Sequence, residues 1–418
     1  GLGDVYKRQL VNDHPASVAT TWSLSFAATE QANPAAADLL RVCAFLHPDV
    51  IPEELLRQGL ARLKPPLQAL GTDELAFHEA VRTLGAYSLL RRDPASQTLS
   101  VHRLVQAVLI DTLAQKRLQA WVERTTHLLW AARPETGGVT FPHWEEWERL
   151  LPHALTWAAH LQHAQFASLE ATELLRLIGW YLTDRGQYAE AESLLQQAFA
   201  LYERRRGKDH LDIAAALATL ALLYKAQERY EEAEPLFQRS LAIIEQTLRP
   251  DHPSTATARN NLAQLYLAQR RYGEAEPLFQ RALAIEEKAF GPDHPETATT
   301  LGSLASLYMM QGRFGEAEPL FQRTLAIEEE TLPPDHPETS NTLNNLAGLY
   351  KVQRRYEEAE PLYQRALDIK EKTLPPDHPQ TATVLENYAS LLRTMHRASE
   401  ALPLEQRARA IRAKQQPP

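Results

Sequence analysis

Asp293-His294-Pro295-Glu296 opens a cassette that closes at Leu332-Pro333-Pro334 and then begins again. Its seam reads Pro250-Asp251-His252-Pro253, Pro292-Asp293-His294-Pro295, Pro334-Asp335-His336-Pro337 and Pro376-Asp377-His378-Pro379. The aspartates stand at 251, 293, 335 and 377, a constant step of 42 residues. One step earlier, Lys208-Asp209-His210-Leu211 keeps the phase without the prolines. A fixed period of this size marks a stacked solenoid, in which each unit covers the apolar face of its neighbour. Such an array has a long concave surface and works by binding.

One copy shows how the unit is built. Asp293 with Glu296 three residues later reads as an N-cap with a capping box, repeated at Asp335/Glu338 and Asp377/Gln380. Pro295 falls in the first turn, where a missing N–H costs little. Helix A is expected over 295–310. Gln311-Gly312-Arg313 breaks it, and helix B follows over 314–331 until Leu332-Pro333-Pro334. Leu301, Leu304, Ala305 and Tyr308 form one apolar stripe, with Phe314, Ala317, Phe321, Leu325 and Ile327 opposite. Glu328-Glu329-Glu330 reads as a solvated face. The expected unit is an antiparallel helix pair.

The 418 residues carry 44 Lys and Arg against 53 Asp and Glu, a net charge of -9, which disfavours a phosphate-binding surface. Cys43 is the only cysteine, so intrachain disulfides and thiolate metal sites are excluded. There is no membrane-length apolar run and no signal peptide, so a cytoplasmic protein is expected. No Gly-x-x-x-x-Gly-Lys-Ser/Thr loop, Gly-x-Ser-x-Gly elbow or His-Glu-x-x-His occurs. The seam histidines fall a whole repeat apart, too far to share an ion, and read as residues that seat the next helix. No catalytic constellation, metal site or cofactor site is expected within this chain itself, and it does not read as an enzyme.

Asn261-Leu262-Ala263-Gln264-Leu265-Tyr266 followed by Tyr272-Gly273-Glu274-Ala275 resembles the tetratricopeptide repeat. The 42-residue period and the seam resemble the variant found in kinesin light chains. Four full copies start near 209, 251, 293 and 335. A fifth starts at 377, with a degenerate helix B (398–414), and a divergent copy covers 175–206. The resemblance implies an all-α, right-handed superhelix whose helices A line a concave peptide groove. By repeat phase, the implied peptide-binding residues are Lys225, Asn260, Gln264, Leu267, Met309, Asn344, Lys351 and Arg393. The amides would pair with a peptide backbone, and the cations with acidic side chains or a carboxylate. A second column, Asn261, Asn345 and Asn387 with Thr219 and Ser303, is expected to bond between repeats.

Residues 10–165 have another texture. Helices are expected near 21–26, 35–46, 53–60 and 77–84. A hairpin is expected from 87–92 and 97–101 around Asp93-Pro94-Ala95-Ser96, with a helix from His102. Helices followed by a two-stranded wing suggest a winged-helix-like domain, with Arg91, Arg92 and Arg103 as a thin basic face. Ser100-Val101-His102-Arg103-Leu104 resembles the motif that closes the winged-helix part of NB-ARC nucleotide switches, where the histidine reaches the β-phosphate of ADP. Only His102 and Leu104 match that motif, and Arg103 stands where the family has Asp. Val18–Phe26 and Leu150-Leu151-Pro152-His153-Ala154 also resemble bacterial proteins that join an NB-ARC core to such repeats. His102 thus reads either as a helix cap or, together with a core outside this chain, as an ADP ligand.

The expected organisation is an artefactual segment resembling translated sequencing adapter, or a linker (1–9), a winged-helix-like domain (10–115), a helical connector (116–167), the solenoid (168–414) and a tail (415–418). The chain reads as the C-terminal part of a longer polypeptide: the sensor arm of a switch whose nucleotide-binding core lies upstream. A stand-alone adaptor and a DNA-binding regulator are the alternatives. The expected partner is a peptide or protein.

Overall fold

The computed structural model describes residues 15–134, 144–164, 166–206 and 210–414. The segments expected at 1–9 and 415–418, and the seam pair Lys208-Asp209, lie outside the described residues. The chain divides into two compact units, Gly1–Ile178 and Gly179–Pro418. Nearly all regular structure is helical, with one small sheet.

The first unit holds α1 (Pro15–Ala32), α2 (Pro34–Cys43), α3 (Glu53–Leu60), α4 (Leu67–Thr72), α5 (Glu74–Ala86), α6 (Arg103–Asp111), α7 (Gln115–Ala132) and α8 (Trp144–Ala164). Asn33 and Asp73 cap α2 and α5 by accepting backbone N–H groups at Ala36 and at Leu75 and Ala76. Gln106 donates to the carbonyls of Cys43 (2.9 Å) and Leu46 (3.0 Å), satisfying the buried end of α2. The hairpin is present as β2 (Arg91–Asp93) and β3 (Thr98–Ser100). Asp93 holds its turn by accepting from Ala95 N and Ser96 Oγ. A third strand, β1 (Ile51–Pro52), pairs antiparallel with β3, with Ile51 opposite Leu99. Two residues are too few to show alternation, so this strand carries no periodic signal.

The array begins with α9 (Leu169–Asp184) and α10 (Tyr188–Arg206). Five further A/B pairs follow: α11 (Leu211–Ala226) and α12 (Tyr230–Thr247), α13 (Pro253–Ala268) and α14 (Tyr272–Phe290), α15 (Pro295–Met310) and α16 (Phe314–Thr331), α17 (Pro337–Val352) and α18 (Tyr356–Thr373), α19 (Pro379–Thr394) and α20 (Ala398–Ala413). Alanines at two phases, Ala221, Ala263, Ala305 and Ala347 in helix A and Ala233, Ala275, Ala317 and Ala359 in helix B, are fully buried. Their small size lets each pair approach closely. Phe237, Phe279, Phe321 and Tyr363 fill the same slot in successive units. Each buried aromatic contributes about 2–3 kcal/mol by area. In the divergent first copy the pair is Gly179 and Leu195, where a Cβ on the glycine would fall 2.5 Å from Leu195 Cγ.

The helix starts correct one expectation. The N-cap is the seam histidine, not the aspartate: Nδ1 of His294 accepts from Glu296 N at 3.2 Å, and His252, His336 and His378 do the same two residues on. The following proline occupies N1 and holds the histidine extended, so its imidazole reaches the N2 amide and the aspartate sits one residue too far out. The aspartates instead pair with lysines at the end of the same unit: Asp251 with Lys288 (3.0 Å), Asp335 with Lys372 (3.0 Å) and Asp377 with Lys414 (2.8 Å).

Each helix A ends in a Schellman turn. Arg313 N bonds Tyr308 O, Gly312 N bonds Met309 O, and Gly312 lies at φ 78°. Glu228, Arg270, Arg354 and His396 hold the same left-handed position without being glycine. In the five units after the divergent copy, which has Gln187 here, the next residue is arginine and locks two units together. Arg313 forks onto Glu316 (2.8 Å), reaches back to Glu276 (2.9 Å) and stacks 3.9 Å over the Tyr308 ring. Arg229, Arg271 and Arg355 repeat this. The array curves far enough that His378 Nε2 lies 2.8 Å from Asp184 O, while Pro379 faces Gly186.

Candidate functional site

Helices A line a trough of about 550 Å³. Of the residues expected to bind peptide, Lys225, Gln264, Leu267 and Asn344 line it together. Lys225 Nζ donates to Gln264 Oε1 at 2.8 Å, and Gln264 Nε2 donates to Ser303 Oγ at 3.3 Å. Burial pulls Lys225 down to about 8. Asn344 accepts from Asn387 Nδ2 at 3.0 Å and donates to Asn345 Oδ1 at 3.3 Å. The second polar column therefore does bond between repeats at Asn387 and Ser303. Thr219 bonds instead to Ala215 O in its own helix.

The other expected residues lie differently. Asn260 is buried, with Oδ1 unpartnered. Met309 is half-buried outside the trough's lining. Lys351 donates to Ser390 Oγ at 2.6 Å. Arg393 makes a two-bond fork to Glu405, both bonds at 2.8 Å. The fork uses two of the guanidinium's N–H donors and balances its charge with Glu405.

The trough's far wall is acidic, which pattern reading missed. Glu329 and Glu330 are exposed as expected, but Glu328 is only 6% exposed. The next repeat covers it, and Thr342 Oγ1 donates to its Oε1 at 2.9 Å while Oε2 has no partner. Burial first, then the nearby carboxylates Glu338 and Glu329, push Glu328 up to about 7 against the pull of Thr342. Glu286, 42 positions earlier, is likewise buried and raised to about 7, by burial and then by Glu296. Glu338 is exposed within the trough and raised by desolvation and by Glu296. The same helix-B position continues as Lys370, fully buried, whose Nζ donates to Gln380 Oε1 (2.7 Å) and Pro337 O (3.2 Å). Periodicity gives the phase of this position. Its acid, acid, base succession was the available signal.

In the first unit His102 is exposed and caps α6, its Nδ1 accepting from Leu104 N at 3.2 Å, with the Trp22 ring 5.5 Å away. Arg92 of the expected basic face is engaged by Glu53 (2.5 and 2.8 Å). Arg103 lies 3.8 Å from Asp49. Among the described residues no group of three or more His, Cys, Asp or Glu is placed to hold a metal ion, and no helix is long and apolar enough to cross a membrane.

A family model described as tetratricopeptide repeat matches residues 170–246, 212–287, 254–330, 296–372 and 338–414. The chain belongs to the tetratricopeptide-repeat family. Such arrays are protein-binding scaffolds and typically non-catalytic. Residues 27–118 match a domain of unknown function. A crystal structure of Podosopora anserina kinesin light chain nearly identical TPR-like repeats is similar at 30% identity, covering 48% of this chain and 96% of that one, with a TM-score of 0.39. Aspartyl phosphate phosphatase F from Bacillus subtilis shares the fold at 13% identity, covering 96% of this chain and 95% of its own, TM-score 0.52. A nucleotide-binding leucine-rich repeat (NLR)-like protein of Hyaloscypha variabilis is 31% identical over 207 residues. That alignment spans 48% of this chain but only 19% of the relative.

Proposed function

We propose that the tetratricopeptide array captures an extended peptide or protein segment in its trough, as the sensor arm of an NB-ARC-type signalling switch. The trough carries the binding half of this reading. Its amides and hydroxyls run from repeat to repeat along helices A, the kind of polar groups that pair with an extended backbone. The NLR-like relative supports the switch half, since its name places nucleotide binding in a much longer protein. The resemblance around Val101-His102 to the NB-ARC closing motif supports it further. With the core present, His102 is the residue of this chain proposed to face ADP. Peptide binding would then bias the closed and open states of the core by its differential affinity for the two.

The test has two arms. Randomised peptide pools are passed over the whole chain, and retention of defined sequences is expected. The longer parent polypeptide is then assayed for nucleotide turnover with and without the retained peptide. Unchanged turnover would refute the sensor role, and retention without any nucleotide effect would favour a stand-alone adaptor.

A further inference from the structure

The sequence pointed to groove cations that meet acidic ligands, but the trough has the opposite complementarity. Arg393 is forked by Glu405, Lys351 is bonded to Ser390, and Lys225 is bonded to Gln264. The unsatisfied charge lies on the other wall. Glu328 is nine-tenths buried yet lines the trough, with Oε2 unpartnered. Glu338 lines the same space and is exposed there. A buried carboxylate oxygen without a donor is costly unless something brings one.

We infer that Glu328 and Glu338 form a subsite for the cationic side chain of a bound peptide, an arginine guanidinium or a lysine ammonium. This rests on the peptide-binding reading above and names the ligand's chemistry. Glu328 Oε1 keeps its Thr342 bond, and a small movement of the side chain brings Oε2 to the ligand's N–H. Glu338 supplies the second carboxylate from the accessible side. Gly302 stands where the neighbouring repeats carry Asn260 and Asn344, and a Cβ there would lie 3.3 Å from Thr324 Cγ2, so the lining at this point is backbone and the Thr324 side chain. The aliphatic stem of a long basic residue would lie along this short-chained lining while its charged head reaches the carboxylates. No three-ligand metal cluster exists among the described residues, so an organic cation fits better than a metal ion.

The surroundings set a pH dependence. Glu338 and Glu329 face Glu328 and raise it, while Thr342 lowers it. Glu338 in turn faces Glu296, Lys370 and Asp184. Lys370 is the one cation among the groups acting on this pair, and it is already bonded to Gln380 and Pro337. With Glu328 titrating at about 7, its ionised fraction rises roughly tenfold from pH 6 to pH 8. Affinity for a cation rises with it.

The probe is a set of randomised extended peptide pools that differ only in a fixed central residue: arginine, lysine, norleucine or glutamate. The whole chain is compared with Glu328→Gln and with Glu338→Gln, a change at an exposed position that leaves packing intact. The arginine and lysine pools are expected to be retained about tenfold over the norleucine pool, as one charged hydrogen bond allows. Glu328→Gln abolishes that preference, Glu338→Gln reduces it about threefold, and lowering the pH from 8 to 6 weakens it in the unaltered chain. Equal retention of all four pools, or preference for glutamate, overturns the cation subsite while leaving peptide binding standing. Retention of none overturns both. Competition by free spermidine but by no pool would assign the site to a small polyamine and also overturn the proposal.

Discussion

Glu328→Gln removes a charge the fold holds against its preference, and its effect on stability has a calculable sign. The carboxyl moves from 4.5 to about 7 on folding, chiefly through burial and then through Glu338 and Glu329. The folded state therefore binds the proton more tightly than the unfolded chain. The group favours folding fully below about pH 4.5, and that contribution is lost as the pH rises through 7. Taking ~1.4 kcal/mol per pH unit, the shift of roughly 2.5 units sets a ceiling of about 3 kcal/mol. Glutamine is isosteric, and its Oε1 still accepts from Thr342. The variant is expected to match the unaltered chain at pH 5 and to exceed it by about 2–3 kcal/mol at pH 8. Urea unfolding followed by circular dichroism at half-unit steps from pH 5 to 8 reads this. Hydrogen exchange across α16 and α17 localises the change, since repeat arrays need not unfold as one unit. Glu286→Gln is expected to show the same trend one repeat earlier, with the two effects nearly additive. Parallel stability–pH curves for variant and parent would refute the buried-carboxylate reasoning.

Three further outcomes follow from the packing. Gly179→Ala forces a Cβ against Leu195 and is expected to cost about 1–3 kcal/mol despite alanine's helix preference, seen as a lower urea midpoint. Arg270→Gly and Arg354→Gly relieve left-handed strain at φ 61° and 62° and are expected to raise stability by about 1 kcal/mol each. His378→Ala removes the α19 cap and the bond to Asp184 O, for a loss of about 1–2 kcal/mol by the same assay. Burial holds His378 below the usual histidine range, so its contribution is full above about 6.5 and is lost as the pH falls below that toward its lowered folded value. The alanine variant should lack that acid-side loss.

The helices of the 293–334 copy could be read to the residue, because proline, a Gly-containing turn and a double proline punctuate them. The helix cap could not. Sequence rules rank aspartate first, yet histidine takes the role even at His210, where Leu211 stands in place of the proline. Buried alanines and aromatics followed from the period, whereas Glu328 did not. Three consecutive glutamates on one helix look solvated until the next repeat is laid over them, and that contact lies 14 residues away at Thr342. Phase brought Lys225, Gln264, Leu267 and Asn344 to one trough but not Asn260, Met309, Lys351 or Arg393, and phase says nothing of partners. Lys351 and Arg393 were assigned to a ligand, while the structure bonds them within the array.

Photo-cross-linking of a retained pool peptide tests the central claim most directly. A benzophenone placed beside the fixed arginine is irradiated on the whole chain, and the adducts are mapped by mass spectrometry. Adducts are expected on helices A, near Gly302, Asn341 and Asn344 in α15 and α17. Adducts confined to the outer faces of helices B, or to residues 15–164, would contradict the account.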